Sequence, residues 1–171
     1  MHNYTTFSGK EVSDHVYRNL KERVELLLKN NIQPGLAAIL VGENPASKIY
    51  INMKTKKFHR LGLKTQTFKL SIDCSQTDLI QVIENINNDS SFHGILVQLP
   101  LPNHIDSNSI INSIRPEKDV DGFHPVNAGL LAIGTPRFIP CTPKGIMKIL
   151  EYYKVNLSGK HVVVLGRSNI V

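Results

Sequence analysis

Leu36-Ala37-Ala38-Ile39-Leu40-Val41 is a short unbroken apolar run closed by Gly42, and Gly94-Ile95-Leu96-Val97-Gln98-Leu99 repeats the pattern further along the chain. Runs of this length, apolar at odd and even positions alike, are what strands covered on both faces require. Between them, Lys64 to Leu70 alternates enough to be another strand. Working outward, Glu11 to Lys29 reads as an amphipathic helix with Val12, Val16, Leu20, Val24 and Leu27 or Leu28 on one stripe, ended by Asn30-Asn31 and Pro34-Gly35. After the loop Glu43 to Ala46, Ser47 is the expected cap of a helix running to about Leu61 and stopped by Gly62. Thr77 to Ile86 is apolar at helical spacing. Strands alternating with helices imply an α/β fold with a parallel sheet between two helical layers.

Asp106 to Ile114 reads as a short helix, and neither helical nor strand periodicity explains Arg115 to Gly129. Within that run, Lys118-Asp119-Val120-Asp121-Gly122-Phe123-His124-Pro125 sets two acids around a valine, with a glycine for an unusual turn and a proline at the exit. This composition suits a loop that presents carboxylates to a ligand. A solvated surface turn is the plainer alternative, since Asp and Gly are common turn residues. Thr142-Pro143 is the expected start of a helix continuing to about Tyr153, with the hydroxyl as cap. His161 to Leu165 then reads as a strand running into Gly166-Arg167-Ser168-Asn169, in outline a strand-to-helix phosphate loop. The domain beginning near Val155 is expected to be incomplete, because Val171 precedes any following helix or ribose-binding acid.

Composition narrows the function classes. The 171 residues are 41% hydrophobic and 20% charged, globular values that argue against disorder. No apolar run approaches the roughly 18 residues of a membrane span, and Met1-His2-Asn3-Tyr4 lacks signal-peptide features, so a cytoplasmic location is expected. Cys74 and Cys141 are far apart, and the seven histidines show no paired-ligand spacing, so neither disulfides nor metal are indicated. A net charge of +6 points to nucleic acid or to an anionic small molecule. The basic peak from Lys54 to Arg60 has no aromatic platform or basic tail beside it, which favours the small molecule.

In parallel α/β sheets, ligands gather at the carboxyl ends of strands. Three segments fall there: Gly42 to Ser47, Gln98 to Pro102, and Gly166 to Ser168. Tyr50 and Lys54 are four apart and share a helical face, so an amine stands beside an aromatic plane. Partial burial would suit Lys54 to acid/base work, because desolvation disfavours the charged ammonium; an exposed lysine beside Lys56 and Lys57 is the alternative. Gln98, a polar amide ending an apolar strand, needs hydrogen-bond partners, and it either orients Lys54 across the cleft or is a satisfied strand-end amide. Cys141 is either an activated thiol at a helix start or a small buried residue. Arg167 is either a phosphate ligand or a surface cation.

Together these segments resemble the bifunctional methylenetetrahydrofolate dehydrogenase/cyclohydrolase family. The resemblance spans the chain, through Val41-Gly42-Glu43-Asn44-Pro45-Ala46-Ser47, Tyr50 to Lys54, Gly94 to Pro102, Pro116 to Pro125, Pro140-Cys141-Thr142-Pro143 and Gly166 to Val171. It implies a three-layer folate-binding catalytic domain over residues 1–139. Residues 140–171 would then be a connecting helix, first strand and phosphate loop of an incomplete Rossmann domain for NADP. It also implies two reactions, oxidation of 5,10-methylenetetrahydrofolate with NADP and hydrolysis of 5,10-methenyltetrahydrofolate to 10-formyltetrahydrofolate. Lys54 would be the acid/base, Gln98 its partner, Tyr50 the face against the aminobenzoyl ring and Asp121 the carboxylate holding the pterin. Ser47, Val97, Leu99 and Pro100 would line the same pocket, and Gly166, Arg167 and Ser168 would meet the cofactor phosphates. The resemblance further implies tetrahydrofolate derivatives as ligands, no nucleic-acid or membrane partner, and a homodimer for a complete enzyme. The competing reading is a non-catalytic folate-binding or interaction fragment.

Overall fold

The computed structural model describes residues 6–168; Met1 to Thr5 and the end of the phosphate-loop motif, Asn169 to Val171, lie outside the described residues. Three parallel strands form the sheet in the order β2-β1-β3, with β1 (Gly35–Val41) central. It pairs with β2 (Lys64–Leu70) from Gly35 opposite Lys64 to Val41 opposite Leu70. On its other side β3 (Gly94–Val97) runs from Leu36 opposite Gly94 to Ile39 opposite Val97.

Every residue of β1 is buried, because its alternating side chains enter two cores. Ala37, Ile39 and Val41 pack with Leu79, Ile83 and Ile86 of α3 (Gln76–Asn88) and Ile110 of α4 (Ser107–Ser113). Leu36 and Ala38 pack on the opposite face with Leu96 and with Ile51 of α2 (Pro45–Arg60). The expected sheet between two helical layers is therefore observed. The first helix, α1 (Gly9–Lys29), is capped by Ser8 and buries Val12 and Val24, whereas Val16, Leu27 and Leu28 stay partly exposed.

Several boundaries differ from expectation for local reasons. The cap of α2 is Asn44, whose side-chain oxygen accepts from Ser47 N at 3.1 Å. Pro45 fits the first turn, since it has no N–H to satisfy, and this moves the start upstream and leaves Ser47 buried inside the helix. Regular pairing of β3 stops at Val97, although Gln98 N still reaches Ile39 O at 2.9 Å. The stretch read as irregular to Gly129 contains α5 (Pro125–Ala132), whose eight residues are too few to display a helical period. Its start carries a signal nonetheless, Pro125 at the first position and Val126 N donating to His124 Nδ1 at 3.1 Å. The last helix, α6 (Cys141–Tyr152), follows Pro140 in extended conformation and has no side-chain cap, so Thr142 lies within its first turn.

The strand expected over His161 to Leu165 is not formed. A strand exists through its neighbours' hydrogen bonds, and among the described residues none pairs with this run. Val162 to Leu165 are accordingly exposed, Leu165 at 95%.

Candidate functional site

The open edge of β3 is closed by the Asp-Val-Asp-Gly loop. Ile95 N donates to Lys118 O at 2.7 Å, and Ile95 and Asp119 form a single parallel bridge. The Lys118 ammonium ties the same segment to the end of α3 through Ile86 O at 3.0 Å and Asp89 O at 2.7 Å. Asp119 is turned inward and buried. Its Oδ1 accepts from Gly122 N at 3.1 Å, and its Oδ2 accepts from His124 N at 2.8 Å and Asn127 Nδ2 at 2.9 Å. Asn127, fully buried on α5, also donates to Pro116 O at 2.8 Å. Gly122 sits at φ +72°, where a Cβ would stand 3.3 Å from the Pro140 ring. These bonds exclude the plain surface turn, and they give the two acids different places.

Asp121 occupies the half-buried vertex of that turn. Burial pushes its carboxyl above the ordinary carboxylate range, the Lys54 ammonium opposes this, and the Asp119 charge adds to it. Cys141 joins the same group. Crowding around its thiol and then the Asp121 charge push it up, while Lys54 and Lys144 pull it down. Because Cys141 is exposed and its thiol is disfavoured as thiolate, neither the activated thiol nor the buried filler describes it. Thus α2, the loop after β3 and the start of α6 converge on one place. Tyr50, one turn before Lys54, is 55% exposed and open to an aromatic ligand, and Ser47 is buried a turn earlier.

Gln98 lies past the end of β3 and donates to Leu99 O at 2.8 Å. Its Oε1 is buried with no hydrogen-bond partner, and no hydrogen bond joins it to Lys54 among the described residues. An amide oxygen held in that condition is an acceptor awaiting a donor. Val97 and Leu99 line a narrow cavity of about 10 Å³ with Asp119, Asp121 and Phe123, while Pro100 is exposed beside it. A cavity of about 600 Å³ lies between α1, α2 and the amino ends of β1 and β3, and borders this site at Lys54 and Val120.

Gly166, Arg167 and Ser168 lie on the exposed final segment. The run before them is unpaired among the described residues, and Asn169 to Val171, which complete the motif, lie outside them. No group of three His, Cys, Asp or Glu side chains among the described residues could hold a metal. Sequence reasoning missed Asn127 and left Asp119 without a role. The signal available was the Asp119-to-Asn127 spacing across a proline-started helix, which has meaning only once the loop folds back.

Residues 7–121 match the family model described as the catalytic domain of tetrahydrofolate dehydrogenase/cyclohydrolase, and residues 140–171 match its NAD(P)-binding domain. Among curated proteins, the chain is 49% identical over 164 residues to bifunctional protein FolD of Chlamydia trachomatis, covering 95% of this chain and 56% of that protein. It is 52% identical over 164 residues to the Streptococcus pyogenes protein of that name, covering 95% and 58%. The structure matches the bifunctional enzyme FolD of Campylobacter jejuni with a TM-score of 0.94 at 46% identity, covering 98% of this chain and 60% of that one. It matches the Trypanosoma brucei dehydrogenase-cyclohydrolase, solved with NADP cofactor and inhibitor, with a TM-score of 0.95 at 35% identity, covering 99% and 59%. The chain therefore spans little more than half the length of these relatives.

Proposed function

The chain belongs to the tetrahydrofolate dehydrogenase/cyclohydrolase family, and we propose that it carries the folate-handling side of an enzyme that oxidises 5,10-methylenetetrahydrofolate with NADP and hydrolyses 5,10-methenyltetrahydrofolate to 10-formyltetrahydrofolate. The observation that carries this reading is that the Lys54 ammonium of α2 acts on the half-buried Asp121 carboxyl of the loop after β3, so that groups from separate elements share one site. In this reading Asp121 accepts two hydrogen bonds from the aminopyrimidinone edge of the pterin, a bidentate pairing that a carboxylate suits. Tyr50 lies against the aminobenzoyl ring, with Ser47, Val97, Leu99 and Pro100 as the remaining walls.

Hydrolysis needs protons moved. Water attacks the methenyl carbon, which is electrophilic because two nitrogens share its positive charge. Lys54 as the free amine takes a proton from that water, and as ammonium returns it to the nitrogen that leaves when the ring opens. The remaining hydroxyl proton goes to solvent as the formyl carbonyl forms. Gln98 supports the cycle through its unpartnered Oε1, which can accept from the Lys54 amine and fix its direction. NADP would supply the hydride acceptor of the other reaction. The phosphate contacts proposed for Gly166, Arg167 and Ser168 require structure beyond the exposed segment on which these residues lie here, so the hydrolytic half is the one this chain's own groups explain.

Lys54→Gln in the complete protein tests the assignment. Hydrolysis of methenyltetrahydrofolate, followed by its absorbance, should fall by about 10²–10⁴-fold. NADP reduction should fall less, because hydride departure needs no obligatory proton transfer; equal loss of both rates would reject the division of roles. Because the chain spans little more than half the length of its relatives, a second reading for residues 1–171 alone is a folate-binding unit without hydride transfer. NADP reduction by that chain would contradict it. A cytoplasmic homodimer without nucleic-acid partners is the matching expectation for the complete protein. No helix among the described residues is long and apolar enough to cross a membrane.

A further inference from the structure

We propose that Asp119 and Asn127 are the positioning pair for the Asp121 carboxylate, a role that rests on Asp121 being the group that recognises folate. Neither residue faces the cleft: Asp119 is 2% exposed and Asn127 is 0% exposed. Their bonds nevertheless enclose Asp121. The Asp119 carboxylate accepts from the backbone N–H of Gly122 and of His124, drawing the turn around Asp121 into a closed loop. Asn127 joins that carboxylate to Pro116 O, so the entry of the loop, its turn and the first helix beyond it are fixed through one amide. On the outer side the turn abuts Pro140, immediately before Cys141. The vertex residue therefore has little freedom to swing. A carboxylate pre-set in direction loses less entropy on binding than one on a mobile turn, which is the advantage such a frame confers.

The arrangement also places a second charge beneath the first. The groups acting on Asp121 are Lys54 from α2 and Asp119 from its own loop, and Asp121 in turn acts on Cys141 at the start of α6. Removing the Asp119 charge, or loosening the loop at Asn127, should return the Asp121 carboxyl toward its ordinary range. Asp119→Asn lowers that titration through the lost charge alone, so the discriminating variant is Asn127→Ala, which removes no charge: a role confined to holding the fold together would leave the titration unmoved in it.

The experiment is a carbon-13 NMR titration of the Asp121 carboxyl in the wild-type chain, Asn127→Ala and Asp119→Asn, paired with tetrahydrofolate binding by calorimetry. The expected result is a lower titration midpoint in both variants, with affinity weakened roughly tenfold to a hundredfold by misplacement of the carboxylate. An unchanged midpoint in folded Asn127→Ala overturns the proposal, and so does a lowered midpoint with wild-type affinity. If Asn127→Ala does not fold, Asn127→Ser, which keeps a donor, decides by the same readouts. Failure of the underlying reading looks different: the wild-type chain would then bind no tetrahydrofolate, or bind it as tightly when Asp121 is changed to Asn, and the titration would still report whether the pair holds Asp121.

Discussion

Gly122→Ala and Gly134→Ala form a matched pair that isolates the contact between the Asp121 turn and the start of α6. Both glycines are left-handed, at φ +72° and φ +81°. Either alanine should lose about 1–2 kcal/mol from placing a Cβ-bearing residue in that region. The unfolded-state entropy change is the same for both and cancels in the comparison. The surroundings differ. A Cβ at Gly134 meets nothing within 4 Å, whereas at Gly122 it meets Pro140 Cδ at 3.3 Å, Pro140 N at 3.4 Å and Phe138 O at 3.6 Å. A proline ring and its own backbone cannot rotate aside, so Gly122→Ala should cost about 1 kcal/mol more, the low end of overpacking penalties. Urea unfolding of the two variants with a shared slope gives the difference directly from the midpoints. Tetrahydrofolate binding supplies a second measure, weakened in Gly122→Ala and retained in Gly134→Ala. Equal midpoints, or a milder effect at Gly122, would refute the packing of this turn on Pro140.

Two further substitutions test other parts of the account. Asp121→Asn should weaken folate binding and at the same time stabilise the chain at neutral pH. Because burial raises the Asp121 carboxyl, the folded state holds its proton more tightly than the unfolded state, so wild-type stability gains as pH falls from neutral through that raised value and levels off below the ordinary carboxylate range. The variant should lack that gain, and parallel pH-stability curves for the two proteins would contradict the burial argument. Gly35→Ala should be among the most damaging single changes, since its Cβ would stand 2.1 Å from Ser91 O. The segment cannot retreat without breaking His93 N to Gly35 O at 2.8 Å and Gly35 N to His93 Nδ1 at 3.1 Å. A loss of about 3 kcal/mol or more is expected in denaturant melts, and a wild-type midpoint would reject this close approach.

The central layer was legible because its physics is local and repetitive. Leu36 to Val41 has no polar residue to mark a solvent face, and that alone demands helices on both sides. Ser47 misled because a hydroxyl near a helix start is the usual cap, and only the fit of Asn44 with Pro45 reveals the earlier start. The run His161 to Leu165 has the composition of a strand and falls within the NAD(P)-binding-domain match, but composition cannot supply the neighbour that makes one, and none pairs with it among the described residues. Asp121 and Lys54 were recognisable as chemistry-bearing residues, and their opposition across α2 and the loop follows from the sheet order. Asp119 and Asn127 were not, because an aspartate that accepts three hydrogen bonds inside a loop carries the same letter as one that faces solvent.

The pairing of Leu36 with Gly94, and of Ile95 with Asp119 beyond it, has a consequence for when binding competence arises. Parallel contacts between distant parts of a chain close late in folding, since the loop entropy must be met before the contacts compensate for it. The Asp121 turn hangs from β3, the edge strand that the longer of these closures sets in place. A partly folded chain with α1, β1 and α2 in place would display Tyr50 and Lys54 with no carboxylate opposite them. In the proposed reading, folate affinity is therefore a readout of the completed sheet, and bound folate acts on the edge pairing of β3 as a lock against its opening.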